Sequence, residues 1–183
     1  MKRIVSTNRG ALKEVEWKGT LMTTGIFKYP VPALTLGFED PLDDAVVDRR
    51  YHGGRDKAVY AYSLDHYEFW KKRYPDLDWN YGMFGENLTV DGLDEHRLHI
   101  GSRYKVGTTI LEVSGPRQPC VKLGMRFNDS KMVKAFWNTS MCGAYFKVIQ
   151  RGLIKPNDTF KLLEENLKGM SIATAFVLKK KKA

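Results

Sequence analysis

Short strand-like runs separated by glycine constrain the fold of this chain more than any other feature. Residues 98–100, 104–106 and 109–113 are such runs, with Gly101 and Gly107 between them. Strands this short and this closely spaced are typical of a β-barrel or a β-sandwich. Further runs of the same kind lie at residues 58–62, 144–150 and 159–163. The sequence therefore predicts a mixed, strand-rich fold.

A few helices are expected around this strand-rich body. Apolar residues recur with helical spacing over residues 64–74 and stop before Pro75, a residue type that ends helices. A second helix is expected after the capping residues 128–130, with apolar side chains on one of its faces. We expect residues 1–165 to form one barrel domain and residues 166–183 to form a short helical, basic tail.

The composition is that of a globular protein, with 43% hydrophobic and 12% aromatic residues among 183. The formal net charge is +9, of which the lysines at residues 179–182 contribute four. A basic body suits a phosphate-bearing ligand or an anionic surface. No apolar run reaches the roughly 18–20 residues that cross a bilayer, so no membrane partner is expected. Two cysteines make no disulfide framework, and a cytoplasmic location is expected.

A proline-braced cysteine follows the strand predicted at residues 109–113. Residues 114–123 contain two prolines and Arg117, and the second proline directly precedes Cys120. Proline fixes φ and disfavours helix in the residue before it, so the backbone here is stiff and extended or turned. Such a turn can hold a thiol toward a ligand, although this stretch taken alone favours a buried core cysteine. Cys142 has no comparable brace, and we expect it to be structural.

Four braced segments carry polar groups where predicted strands meet loops: Lys28, residues 52–56, residues 84–87 and residues 117–120. Loops mounted on a rigid scaffold are where functional sites usually form. Zinc-ligand spacings, phosphate-binding glycine loops and serine-nucleophile elbows are absent from the sequence. Because a thiolate is a soft ligand, the four segments together predict a site for an anionic cofactor that carries a soft metal.

Three of these segments resemble the motifs of the MOSC family, the C-terminal domain type of molybdenum-cofactor sulfurases, and most closely its single-domain YiiM-like branch. The motifs are His52-Gly53-Gly54-x-Asp56-Lys57-Ala58-Val59, Phe84-Gly85-Glu86-Asn87-Leu88 and Pro116-Arg117-x-Pro119-Cys120. The similarity extends to Gly25-Ile26-x-Lys28-x-Pro30-Val31 and to Asp44-x-x-x-Asp48. It implies a MOSC-type β-barrel with a few peripheral helices and a bound molybdenum cofactor, a molybdopterin whose metal is held partly by a cysteine.

The resemblance also implies roles for individual residues. Cys120 would be the metal ligand and a catalytic residue, while Lys28 and Arg117 would pair with the phosphate of the cofactor. Asp56 and Glu86 would deliver protons. The remaining cofactor-binding positions would be His52, Gly53, Gly54, Phe84, Gly85, Asn87 and Pro119.

The activity implied by the resemblance is reduction of N-hydroxylated bases and amidoximes by removal of the oxygen atom at molybdenum. The substrate would be a small N-hydroxylated compound, the electrons would come from an external reductase, and a homodimer is compatible with the family. One alternative is a non-catalytic carrier of sulfur or of the molybdenum cofactor that uses Cys120. Another is a basic nucleic-acid-binding barrel, which is disfavoured because no nucleic-acid motif is present.

The chain departs from the family pattern at two motif positions and at its C-terminus. Asp43 stands where glycine is usual, and Arg55 stands where proline is common. Many members of the branch continue into a C-terminal helical appendage, of which residues 171–176 would form the first turns.

Overall fold

The computed structural model describes residues 1–47 and 53–181, and within these residues twelve strands and four α-helices form. The strands are β1 (Arg3–Gly10), β2 (Lys13–Trp17), β3 (Thr20–Thr24), β4 (Lys28–Val31), β5 (Leu34–Leu36), β6 (Val59–Ser63), β7 (Leu88–Asp91), β8 (Arg103–Val106), β9 (Thr109–Pro116), β10 (Ala144–Gln150), β11 (Gly152–Ile154) and β12 (Lys161–Glu164). The α-helices are α1 (Tyr67–Arg73), α2 (Val121–Arg126), α3 (Met132–Trp137) and α4 (Ile172–Lys180). Short 3₁₀ turns span Arg55–Lys57 and Leu64–His66.

Eight strands form one sheet in the order β12-β8-β9-β10-β6-β7-β1-β4. Its neighbouring strands are antiparallel except β6 and β7, which run parallel because the chain crosses over through α1 between them. The segment before β12 returns to the start of β1, where Ile4 N donates to Asp158 O at 2.8 Å and Phe160 N donates to Lys2 O at 3.0 Å. The sheet is therefore curled into a half-barrel, which confirms the predicted mixed, strand-rich fold.

Two smaller strand pairs lie beside the main sheet. Strand β5 pairs with β11, and β2 pairs with β3 as a hairpin. The hairpin turns at Lys18 and Gly19, which both have positive φ, 53° and 76°. A two-residue turn of this kind matches the right-handed twist of the strands that it joins. The hairpin is therefore locally well specified, although it is not part of the main sheet.

Aromatic side chains fill the core between the curled sheet and α1, α2 and α3. Tyr62 stacks on Phe84 with ring centroids 4.1 Å apart, and Trp70 stacks on Phe136 at 6.1 Å. All four of these side chains are fully buried. Burying each one contributes roughly 1.5–3 kcal/mol relative to leaving it in water. This cluster fixes the loops that surround it.

Several predicted elements are confirmed, and others differ from the structure. The predicted strand at 144–150 coincides with β10, and the proline-containing segment around Pro30 forms β4, an edge strand as its missing N–H requires. Residues 98–100 were expected to form a strand, but they contribute only one isolated bridge, from His99 to Ser171. Helix α2 was not expected, because it follows Pro119 and contains Gly124, and both residue types are poor helix formers.

The segment predicted as a basic tail packs on the barrel. Ile172 N donates to Leu98 O at 2.8 Å, and the buried Phe176 ring stacks on Trp137 with centroids 4.7 Å apart. Helix α4 thus shares the core of the domain, and the boundary at residue 165 stays a prediction. None of the helices within residues 1–47 and 53–181 has the length and apolar character needed to cross a membrane.

Candidate functional site

A cleft lies between the main sheet, the loop before β6 and the N-terminal end of α2. It encloses about 640 Å³ when the open solvent at its mouth is included. It is lined by Thr24, Gly25, Ile26, Lys28, Asp44, Ala45, Val46, Val47, Gly53, Lys57, Ala58, Tyr60, Gly85, Asn87, Arg117, Cys120, Lys122 and Tyr145. The predicted residues Lys28, Gly53, Gly85, Asn87, Arg117 and Cys120 are thus brought together in one cavity.

Cys120 stands at the junction between β9 and α2. Strand β9 ends at Pro116, and Cys120 is the residue directly before the first residue of α2, with φ −131° and ψ 174°. This extended conformation is the one expected from the proline brace. The side chain is half-buried and lines the cleft. The stretch therefore holds the thiol toward a cavity, and the alternative of a fully buried core cysteine does not apply to Cys120.

Arg117 carries a buried positive charge into the same cleft. Only 4% of the residue is exposed, and its guanidinium donates to the carbonyl oxygen of Phe84 and lies 5.0 Å from the centroid of the Tyr60 ring. Within residues 1–47 and 53–181, the buried Arg117 Nε has no hydrogen-bond acceptor. Buried donors are normally satisfied. An acceptor supplied by a ligand would satisfy this one.

Lys28 is held in the cleft by a buried polar network. Its ammonium pairs with Asp44 Oδ2, and the two side chains are only 8% and 3% exposed. Asp44 also accepts from the Gly10 N–H and from Asn87 Nδ2, both at 2.8 Å. Burial lowers the pKa of Lys28, against the attraction of Asp44, which raises it. The network fixes one wall of the cleft, and the Lys28 charge is already balanced there by Asp44.

Asn87 links this wall to the main sheet. Its side-chain oxygen accepts from the Tyr60 N–H at 3.2 Å, and its own N–H donates to the Tyr60 carbonyl at 2.8 Å. Its amide nitrogen donates to Asp44 at 2.8 Å. Both polar atoms of the side chain therefore have protein partners, so Asn87 positions the cleft wall as well as lining it.

Glu86 lies outside the cleft, contrary to its expected role in proton delivery. Its carboxylate is fully buried and accepts from the Gly82 and Phe84 N–H groups at 3.0 Å and from the Thr89 hydroxyl at 2.8 Å. It also accepts from the Tyr67 hydroxyl. Burial raises the pKa of Glu86, against these hydrogen bonds, which lower it. Because the carboxylate holds its own loop to Tyr67 of α1 and Thr89 of β7, its geometry supports a structural role.

Other predicted positions also lie away from the cleft lining. Asp56 is on the surface, with 77% of its side chain exposed, and pairs with Lys147 at 3.1 Å. Phe84 is part of the aromatic core, Pro119 is buried, and neither Pro119 nor Gly54 lines the cleft. His52 was predicted to line the pocket and lies outside the described residues.

The structure adds residues that sequence reasoning did not single out as site residues. Tyr60 and Tyr145 line the cleft with ring centroids 5.2 Å apart, and burial raises the pKa of both hydroxyls. Lys57 and Lys122 bring two further half-buried cations. Lys57 and Lys122 lie within or next to the matched motifs, so the motifs carried a signal for them. Tyr145 carried no such signal in the sequence, because it reaches the cleft only through the pairing of β10 with β6.

The curled main sheet and the start of α2 thus gather cationic side chains around one cysteine. Residues 48–161 match the MOSC domain family, and the chain belongs to that family. The resemblance stated from the motifs, including the YiiM-like branch, is thereby confirmed. MOSC domains are associated with binding of the molybdenum cofactor in general.

Individual relatives agree with this assignment. The uncharacterized protein YflK of Bacillus subtilis (strain 168) is 36% identical over 173 residues, which are 94% of this chain and 78% of YflK. A protein named Reductase from Gibberella moniliformis (strain M3125 / FGSC 7600) is 39% identical over 117 residues, but the match spans 62% of this chain and only 21% of that protein. The crystal structure of YiiM from Geobacillus stearothermophilus has a TM-score of 0.80 at 34% identity, covering 100% of this chain and 85% of YiiM.

The residues of the cleft fit a molybdenum cofactor. Such a cofactor is anionic and brings a metal that accepts a thiolate ligand, and the cleft offers one thiol, on Cys120, beside several cationic side chains. The described part of the chain offers no hydrogen-bond acceptor to the buried Nε of Arg117. Phosphate and pterin groups supply acceptors of the kind that a guanidinium binds.

Proposed function

We propose that this protein binds the molybdenum cofactor in the cleft and reduces small N-hydroxylated compounds. The observation that carries the proposal is the half-buried Cys120, held by a proline brace in a cleft with four cationic side chains. Membership of the MOSC family and a relative named Reductase support an oxidoreductase. When bound, the cofactor would supply the redox chemistry of oxygen-atom removal.

The cleft residues divide into those that would hold the cofactor and those that shape the wall. Cys120 would ligate the metal through its sulfur. Arg117, Lys57 and Lys122 line the cleft and would balance the charge of the phosphate. Lys28 is paired with Asp44. The Lys28, Asp44 and Asn87 network would keep this wall in place while the ligand is bound.

Removal of oxygen from an N–OH group consumes two electrons and two protons and yields an N–H group and water. Asp56 and Glu86 do not line the cleft, so the protons need another source. The ammonium groups of Lys57 and Lys122 line it and can hold and release protons at their Nζ atoms. The electrons would come from an external reductase, because two cysteines are too few for a four-cysteine iron–sulfur cluster.

The test compares the two cysteines of the chain. The wild type, Cys120→Ser and Cys142→Ala would be produced in a host that makes the cofactor, and bound molybdenum and pterin would be measured. Reduction of an N-hydroxylated base would then be driven by reduced viologen. Loss of a supporting group around a metal ligand typically costs 10- to 100-fold. We therefore expect Cys120→Ser to lose more than about 100-fold in activity together with its molybdenum.

Cys142→Ala is the matched control, because Cys142 is fully buried and does not line the cleft. It should retain both metal and activity. Equal metal content and activity in Cys120→Ser and the wild type would refute the proposal. A wild-type protein without molybdenum but with cyanide-releasable sulfur on Cys120 would favour the sulfur-carrier alternative.

A further inference from the structure

The outer sides of α1, α3 and α4 form a positively charged surface, which we call the basic face. The three segments 67–74, 128–138 and 171–181 contain eight lysine and arginine residues and two acidic residues, and thus have a net charge of +6. The whole chain has a net charge of +9. The basic residues are all exposed, and they are Lys71, Lys72, Arg73, Lys131, Lys134, Lys179, Lys180 and Lys181.

Side-chain contacts join the three segments into one surface. The Tyr74 hydroxyl, at the end of α1, donates to Asp129 Oδ2 at 2.8 Å, in the turn before α3. Lys180 Nζ of α4 donates to Asn138 Oδ1 at 3.0 Å, directly after α3. Beneath the surface, one buried ring from each helix packs in a common cluster, namely Trp70, Phe136 and Phe176. The eight cations therefore belong to one continuous face.

The charge of the basic face points to an anionic partner. Like charges held on one surface repel each other, and this repulsion destabilises the folded chain. The two acidic residues of these segments already have partners: Asp129 accepts from the Lys131 N–H at 2.8 Å, and Glu68 lies 3.5 Å from Lys71. A negatively charged partner would relieve the remaining repulsion and would be attracted over a distance of about 10 Å at moderate salt.

Exposed apolar side chains on the basic face indicate that this partner is a protein. Phe69 is 43% exposed and, at helical spacing, shares one side of α1 with Lys72 and Arg73. Val177 is 50% exposed and shares one side of α4 with Lys180. Protein interfaces combine apolar contacts, often aromatic, with a polar and charged rim. The basic face offers both kinds of group.

The basic face lies close to the cleft. Phe136 is buried on the inner side of α3, and its ring centroid lies 5.9 Å from the guanidinium carbon of Arg117, which lines the cleft. Lys134 is exposed on the outer side of the same helix. A helix with its side chains is about 10–12 Å thick. A partner on the outer side of α3 is therefore about one helix thickness from the surroundings of Arg117.

We propose that the basic face is the docking surface for an acidic electron-donor protein. This inference rests on the proposed function, which needs electrons from outside the chain. Conversion of one N–OH group to N–H and water takes two electrons and two protons, so two molecules of a one-electron donor are oxidised per turnover. Complementary charge mainly speeds the encounter of two proteins. It therefore suits a donor that must bind, transfer an electron and leave.

The test measures binding of an acidic [2Fe–2S] ferredoxin, a one-electron carrier, to the cofactor-loaded protein. Calorimetry with oxidised ferredoxin and without substrate gives Kd in the absence of turnover. Lys131→Glu/Lys134→Glu reverses two charges on α3, and Lys179→Glu/Lys180→Glu reverses two charges on α4. Electrostatic attraction accelerates association by roughly 10- to 1000-fold. Each face variant should therefore weaken ferredoxin binding about tenfold or more in about 10 mM salt.

Lys155→Glu/Lys161→Glu is the matched control. Both lysines are exposed and lie outside the basic face, and the double substitution changes the net charge by the same amount. This variant should bind ferredoxin as the wild type does. In about 1 M salt, where the Debye length is about 3 Å, the wild type and the face variants should bind equally weakly. None of the substituted lysines lines the cleft, so viologen-driven reduction should be unchanged in every variant.

The outcomes separate this inference from the proposed function. Absence of ferredoxin binding by the wild type, equal binding by the wild type and both face variants, or equal losses in the face and control variants would overturn the docking surface. Tighter binding of an oligonucleotide than of ferredoxin, lost in the face variants, would also overturn it and would assign the basic face to nucleic acid. A wild type that binds ferredoxin through this face but has no viologen-driven activity would refute the proposed function instead.

Discussion

The buried ion pair between Lys28 and Asp44 can be tested against a surface pair one residue away. Asp44 is 3% exposed in its side chain and holds the Lys28 ammonium, which is 8% exposed. Its neighbour Asp43 is 83% exposed and lies 3.4 Å from Arg9. Both aspartates can be changed to asparagine, which preserves shape and removes one negative charge. Asparagine also tolerates the positive φ of 61° at position 43.

The two substitutions should differ greatly in their effect on the free energy of unfolding. Removing one partner of a buried pair leaves an uncompensated charge and costs about 3–5 kcal/mol. An exposed pair contributes about 0–1 kcal/mol. For a chain of this size, each kcal/mol corresponds to roughly 2–4 °C in Tm. Asp44→Asn should therefore lower Tm by about 6–20 °C, while Asp43→Asn should change it by less than about 4 °C.

The Asp44→Asn defect should also shrink as pH rises. Burial lowers the pKa of Lys28, and the attraction of Asp44 opposes this effect, so removing Asp44 lowers the pKa further. Between that lowered pKa and the normal value of about 10.4, the unfolded chain binds more protons than the folded chain. Stability of the variant therefore increases with pH across this window.

Thermal and urea unfolding, followed by circular dichroism from pH 7 to 10, measure both effects. The double variant Lys28→Met/Asp44→Asn is the control, since it lacks the buried amine and should not share the pH trend. Equal stability of Asp44→Asn and Asp43→Asn at pH 7 would show that the Lys28–Asp44 pair does not stabilise the cleft wall.

Two further predictions concern packing and thiol chemistry. A Cβ on Gly25 would clash with the Ala45 carbonyl oxygen, whereas a Cβ on Gly115 meets nothing within 4 Å. Gly25→Ala should therefore lower the free energy of unfolding by roughly 1–3 kcal/mol, and Gly115→Ala by less than about 0.5 kcal/mol, as measured by thermal unfolding. Similar losses of stability in the two variants would contradict this expectation. Burial raises the pKa of Cys142 well above its usual value. A disulfide reagent at pH 8 should therefore leave Cys142 unmodified in the folded Cys120→Ser variant and modify it after unfolding in urea. Rapid modification of the folded variant would contradict the burial of Cys142.

Local patterns predicted the strands and helices well where the pattern was regular. The run at 144–150 became β10, and Pro75 marked the region where α1 ends. The motif at Cys120 predicted a stiff, extended backbone, and the structure has one. Asp43 has a positive φ, which explains in physical terms why glycine suits that position.

The rest of the site depends on pairing between distant strands, which a single sequence does not display. Tyr145 reaches the cleft because β10 lies between β9 and β6. Glu86 stands in a matched motif and was expected to carry protons, but its carboxylate accepts from its own loop, from β7 and from Tyr67 of α1. A sequence motif identifies which residue types are needed at given positions of the chain. It does not say whether each one contacts the ligand or supports its neighbours.

The strand order has a consequence for when the cofactor can be bound. Strand β10 is the tenth of the twelve strands to be synthesised, and it lies inside the main sheet. There it joins β9, which leads to Cys120, to β6, which pairs with Asn87. Until residue 150 has left the ribosome, the two halves of the cleft have no strand between them. Non-local pairing of this kind is slow to form. The cleft is therefore completed only after most of the chain has been translated.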